Sequence, residues 1–98
     1  MRIYISGPIT GTKDYKERFA RVEKALTEIG YVVINPARVN AQLPKGTTHE
    51  EYMRTSLLML DMCDAVFMLD GWQDSKGCNI EFKYACEKKH AIFFEGGR

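Results

Sequence analysis

Short apolar runs alternate with helical patterns along the whole of this sequence, and that alternation limits its fold more than any other feature. Arg2 to Ser6 is a β-branched and aromatic run stopped by Gly7-Pro8, and it reads as a first strand. From about Asp14 to Ile29 the apolar positions Tyr15, Phe19, Val22, Leu26 and Ile29 recur at spacings of four and three, with Gly30 as a C-terminal stop. Tyr31 to Asn35 reads as a second strand closed by Asn35-Pro36, and the polar stretch from Ala37 to Thr47 as a loop. Thr48-His49-Glu50-Glu51 matches a capping box ahead of the helical pattern Tyr52, Ser56, Met59, Leu60 and Cys63. The continuous apolar run Ala65 to Leu69 has the pattern of a parallel strand buried on both faces. A helix is expected beyond Ser75, running through Lys89 so that its basic cluster sits at its C-terminus, and Ala91 to Phe94 forms a fourth strand before a Glu-Gly-Gly-Arg tail.

Strands that alternate with helices require right-handed crossovers and a parallel sheet covered by helices on both faces. The expected architecture is an α/β, three-layer, Rossmann-like or flavodoxin-like fold: one four-stranded parallel sheet of order 2-1-3-4. In that order the chain reverses between the first and third strands, and the crevice outside their carboxyl ends is the expected ligand site. With 98 residues and no internal linker, residues 1–98 are read as a single domain. A formal net charge of +1 with 28% charged residues supplies no basic stripe for a nucleic-acid polymer. The first residues reach Gly7-Pro8 too early for a signal-peptide core, and no apolar run approaches a membrane span, so a cytoplasmic protein without membrane partners is expected. The three cysteines, Cys63, Cys78 and Cys86, fit no zinc spacing and read as reduced thiols, so neither metal nor cofactor is expected.

The two unusual loops, Gly7-Pro8-Ile9-Thr10-Gly11 and Gly71 to Gly77, leave the first and third strands, so both open on the same crevice. The first lacks the order of a dinucleotide fingerprint. Its Gly7 and Gly11 suit either a tight turn and close packing or a phosphate or sugar contact through the backbone of Ile9 and Thr10. The second leads into a helix with Glu81 expected in its first turn, where the helix dipole would keep a carboxylate ionised; as an alternative, Glu81 is a favourable helix charge and nothing more. Ser75, Lys76 and Gly77 at this junction suit a phosphate, or else a helix cap beside a solvated lysine. Asp70 and Asp74 are candidates for ribose hydroxyls or for protonating a leaving base, and Trp72 for walling a base, with loop polarity and packing as the alternatives. His49 and His90 read as surface residues, and Asp64 falls at the opposite end of the third strand.

Ile3-Tyr4-Ile5-Ser6-Gly7-Pro8, the Cys63-Asp64-Ala65 strand entry, Gly71-Trp72, and Ser75-Lys76-Gly77 leading to Glu81 together resemble the nucleoside 2-deoxyribosyltransferase-like superfamily. The resemblance runs over nearly the whole chain and is strongest to a compact bacterial and phage branch known as a domain of unknown function. It implies cleavage of an N-glycosidic bond, with Glu81 attacking the anomeric carbon of the sugar, Tyr4 supporting that glutamate, and Ser75 meeting the phosphate of nucleoside 5′-monophosphates. Relatives carry an aspartate near the middle of the helix before the third strand, and Ser56 stands at the nearest matching position here; longer relatives also continue beyond the fourth strand.

Three readings of function follow, two of them favoured. One is an N-glycosidase or 2-deoxyribosyltransferase in which Glu81 captures an oxocarbenium-like sugar, as in retaining glycosidases, with a nucleoside or nucleoside 5′-monophosphate as substrate. The other is a non-catalytic module that binds a nucleotide or another phosphorylated metabolite in the same crevice, a reading that Ser56 favours. A vestigial crevice on an interaction protein is a third reading, disfavoured by the joint presence of Tyr4, Ser75 and Glu81. Leu57, Leu58, Met59, Leu60 and Met62 exceed what one core-facing stripe uses, so a homodimer through that helix is expected.

Overall fold

The computed structural model describes residues 1–97 as four strands and four α-helices; the Arg98 of the tail lies outside the described residues. The strands are β1 (Arg2–Ser6), β2 (Val32–Ile34), β3 (Ala65–Met68) and β4 (Ala91–Phe94), and the helices are α1 (Tyr15–Ile29), α2 (Pro36–Asn40), α3 (His49–Asp61) and α4 (Lys76–Glu87). All pairings are parallel and the order is β2-β1-β3-β4, as the alternation requires. Tyr4 sits at the sheet's centre, opposite Ile34 on one side and Val66 on the other.

The period of two along β1 divides the core. Ile3 and Ile5 point to the face where Phe19 and Leu26 of α1 and Ala37 of α2 pack, while Tyr4 points to the face covered by Met59 and Leu60 of α3 and Cys78 and Ala85 of α4. These are the three layers. The α1 stop is the expected one: Gly30 has φ 110, and its N–H and that of Tyr31 return to Thr27 and Leu26. The capping box of α3 also forms, with Glu51 N–H donating to Thr48 Oγ1 at 3.1 Å and Thr48 N–H to Glu51 Oε1 at 2.9 Å.

Three expectations need correction. The stretch after Asn35 is not all loop, because Pro36 starts α2 and Asn35 caps it, its Oδ1 accepting from the N–H groups of Ala37 (3.0 Å) and Arg38 (3.3 Å). The helix expected to run through Lys89 ends at Glu87, with Lys88 as its cap and Lys89 at φ 61, so the basic cluster lies past its last turn. His90 is half-buried rather than a free surface residue, and its Nε2 bonds the Leu60 carbonyl at 3.0 Å. Cys63, Cys78 and Cys86 are free thiols, and among the described residues no three His, Cys, Asp or Glu side chains gather to hold a metal. No helix among the described residues is long and apolar enough to cross a membrane.

Candidate active site

Outside the carboxyl ends of β1 and β3 a cleft of about 1060 Å³ opens, walled by the loop after β1, by α2 and the segment leading into α3, and by the head of α4. Gly7 is where β1 leaves the sheet. A Cβ there would stand 2.6 Å from Leu69 Cδ1, so the absence of a side chain allows the loop to pass over the end of β3. On the other side, a 3₁₀ turn over Trp72–Asp74 leads into α4, whose cap is Ser75, with Oγ accepting from Cys78 N–H at 3.2 Å. Asn79 laces that turn to the helix: its Nδ2 donates to the Gln73 carbonyl at 2.9 Å and to the Ser75 carbonyl at 2.8 Å.

Glu81 lies at the floor of the cleft, 6% exposed. Tyr4 Oη donates to its Oε2 at 2.5 Å, and Ser6 Oγ donates to its Oε1 at 2.6 Å. Each carboxylate oxygen thus has its own hydroxyl donor. Glu81 is the sixth residue of α4, not a first-turn residue, and no acidic side chain occupies that first turn. The expected reason for its ionisation is therefore replaced by another balance. Burial raises the Glu81 carboxyl above the ordinary carboxylate value, while the hydrogen bonds from Ser6 and Tyr4 pull it back down. Burial and the neighbouring Glu81 charge push the Tyr4 phenol well up, and a hydrogen bond from Ser56 acts in the opposite direction. Tyr4 therefore stays a donor. The Cys78 thiol, buried beside them, is also raised, chiefly by desolvation.

Of the residues singled out in the sequence, Tyr4, Gly7, Ile9, Thr10, Asp74, Ser75, Lys76, Gly77 and Glu81 line this one cleft. Three do not. Gly11 takes φ +79 in a turn closed by Thr12 N–H to the Ile9 carbonyl, so its requirement is conformational. Trp72 stacks on Phe82, with ring centroids 4.7 Å apart, and packs near Phe94 at 6.0 Å; the alternative of packing describes it better than a wall for a base. Asp70 is held by its backbone instead, its N–H donating to Glu95 Oε1 at 2.8 Å and its carbonyl accepting from Arg18 at 2.7 Å. Trp72 and Asp70 border a separate hollow between β3 and β4.

Sequence reasoning missed Ser6, although the period of two along β1 puts it on the same face as Tyr4, which is the signal that could have found it. It also missed α2, which brings Asn40 to the cleft, and the placement of His49, an exposed residue that lines the cleft together with Lys45. Ser56, buried on α3, lines the cleft where the resemblance expects an aspartate.

A parallel sheet of this order with a cleft at its switch point is a common α/β design. The chain belongs to the DUF4406 family, a domain of unknown function, whose family model matches residues 1–94. Among solved structures it is similar to a 2-deoxyribosyltransferase from Bacillus psychrosaccharolyticus, with a TM-score of 0.76 and 17% identity over 96% of this chain and 71% of that one. It is also similar to a 2-deoxyribosyltransferase from Leishmania mexicana, with a TM-score of 0.72 and 18% identity over 95% of this chain; it spans 62% of that protein's length. At such identities the likeness establishes a shared fold. No curated protein matches in sequence.

Proposed function

We propose that this protein cleaves the N-glycosidic bond of a nucleoside or nucleoside 5′-monophosphate, as a hydrolase or a 2-deoxyribosyltransferase, with Glu81 as nucleophile. The observation that carries the reading is the buried Glu81 carboxylate at the cleft floor, held by a hydroxyl on each oxygen. A carboxylate built only to stabilise the fold has no reason to be sunk into a cleft with hydroxyls rather than cations for partners.

In the first step a Glu81 oxygen gives an electron pair to the anomeric carbon as the bond from that carbon to the base nitrogen breaks, its pair leaving with the base. The base nitrogen takes a proton from a general acid. Asp74 fits that role, since it is the other carboxylate lining the cleft. Water, or the nitrogen of an incoming base, then attacks the anomeric carbon and returns the electron pair to Glu81, while its own proton passes to the conjugate base of the acid. At the head of α4, the hydroxyl of Ser75 and the ammonium of Lys76 suit a 5′-phosphate, with the backbone of Ile9 and Thr10 on the facing loop for sugar or phosphate.

A second reading, a module that binds such a nucleotide without cleaving it, is favoured by Ser56, which has no acidic proton to give. Incubation with a panel of nucleosides and 5′-monophosphates, with free base followed by chromatography and thermal shift measured in parallel, separates the two. The enzyme reading expects base release that Glu81→Gln lowers at least about 10³-fold. Thermal shift without base release from any member would establish the binding module.

A further inference from the structure

Resting on the reading of Glu81 as nucleophile, we propose that Ser6 is a positioning residue that holds Glu81 Oε1 from behind and thereby makes Oε2, on the Tyr4 side, the oxygen presented to the sugar. The two hydroxyls are not equivalent. Tyr4 and Glu81 line the cleft, whereas Ser6 is not among the described residues that do, although both hydroxyl-bearing residues are buried, Tyr4 at 0% and Ser6 at 1% exposure. The Ser6 hydroxyl therefore reaches the carboxylate from the protein side, at 2.6 Å, from the last residue of β1. Its backbone is fixed as well, because the Ser6 carbonyl accepts from Leu69 N–H at 2.8 Å and Ser6 pairs with Met68 in the sheet.

This asymmetry has a chemical consequence. When Oε2 forms the bond to the anomeric carbon it becomes the ester oxygen and loses most of its capacity to accept a hydrogen bond. Oε1 becomes the ester carbonyl and goes on accepting from Ser6. Ser6 thus favours the free carboxylate over both the protonated acid and the less charged ester, and it fixes the rotation of the carboxyl group throughout. Removing its hydroxyl should make Glu81 harder to ionise and leave the ionised carboxyl group free to turn away from the attacking orientation.

The other groups facing Glu81 do not obscure that effect. Tyr4 of β1 and Cys78 of α4 both have their titrations pushed upward by burial, so both stay neutral while Glu81 titrates. From α3 the facing side chain is Ser56, which carries no charge. The charged and titratable residues of the cleft wall, Asp74, Lys76, Lys45 and His49 together with Tyr15 and Tyr52, are the same in parent and variant.

The test is a carboxyl ¹³C NMR titration of glutamate-labelled protein, with the Glu81 signal assigned by its loss in Glu81→Gln, alongside the pH profile of base release. In Ser6→Ala the Glu81 midpoint should move up by about one to two pH units, the size of one hydrogen bond to a charged group. The acid limb of the rate profile should move with it, and the plateau rate should also fall, by less than in Glu81→Gln, because the carboxyl group loses the contact that fixes its rotation. Ser6→Thr, which keeps the hydroxyl, should restore the midpoint, and Ser6→Cys, a weaker donor of similar shape, should fall between. An unchanged or lowered midpoint in Ser6→Ala overturns the proposal; should the alanine variant not fold, the same result in Ser6→Cys overturns it. A plateau unchanged from the parent would overturn the positioning of Oε2 by Ser6. The NMR arm needs no turnover, so a midpoint that moves in a protein that releases no base removes the nucleophile reading and leaves the positioning by Ser6 intact.

Discussion

With Glu81 as the proposed nucleophile, function and stability oppose one another at this position. Its partners are the hydroxyls of Tyr4 and Ser6, which stabilise a buried carboxylate less than a cation would, and burial outweighs them. The folded state therefore holds the Glu81 proton more tightly than the unfolded chain does. Its effect on stability is absent below the ordinary carboxylate value near 4.5, grows unfavourable as pH rises from there to the folded-state value, and stays constant above it. Glu81→Gln is nearly isosteric, keeps one acceptor and one donor for the two hydroxyls, and removes the buried charge. It should melt at a higher temperature than the parent at pH 8, with the difference shrinking toward pH 4. Thermal unfolding across that range checks the sign, and a variant less stable at pH 8 than the parent would mean that the charged form is the better bonded one. A gain in stability coupled to a loss of activity is the usual mark of a functional group kept at a cost.

At the scale of elements, strand and helix existence was legible because the buried strands and the α1 stripe follow their periods without interruption. Val66 and Met68 on one face and Ile3, Ile5 and Phe19 on the other are all buried, as continuous or regularly spaced apolar residues should be in a doubly covered sheet. What was not legible is what polar side chains do through space. A five-residue helix such as α2 has too few turns to show a period, and the sign of its existence was Asn35-Pro36 itself, a cap followed by proline at the first helical position. Asn35 does more than cap, since its Nδ2 donates to Glu23 Oε1 at 3.0 Å and Glu23 in turn pairs with Arg38. This network ties α2 to α1 and sets one wall of the cleft. Asn35→Ala should therefore cost about 1–2 kcal/mol, because it strips a buried cap and leaves Glu23 with one partner fewer. Thr48→Ala removes an exposed capping box and should cost about 0.5–1 kcal/mol. Urea unfolding of the two variants compares them, and an equal or reversed order would show that α2 is not held by its cap. Glu81 was legible as a residue and not as an environment: the loop signature located it, but one turn of helix beyond the expected place turns a solvated charge near a dipole into a buried one between two hydroxyls.

For the whole molecule, the sheet leaves one helical face uncovered. Met59 and Leu60 of α3 are buried, but Leu58 and Met62 are 69% and 59% exposed, so they do not pack against the stretch from Ala37 to Thr47. Two large apolar side chains four positions apart on one helix face match a two-fold contact in which each copy covers the other's pair. Sedimentation at micromolar concentration should find a homodimer that Leu58→Asp dissociates, and a monomeric parent would remove the expectation. At the opposite end of the fold, β1 and α4 converge on one glutamate, Glu81, the proposed nucleophile. The most direct test of that role is mass spectrometry of the intact protein after incubation with a 2-fluorinated nucleoside or nucleoside 5′-monophosphate that slows the second step. The expected result is a mass gain equal to the fluorosugar, mapped by peptide analysis to Glu81 and missing in Glu81→Gln. Base release by a parent that never acquires that adduct, or an adduct on another carboxylate such as Asp74, would contradict Glu81 as the nucleophile.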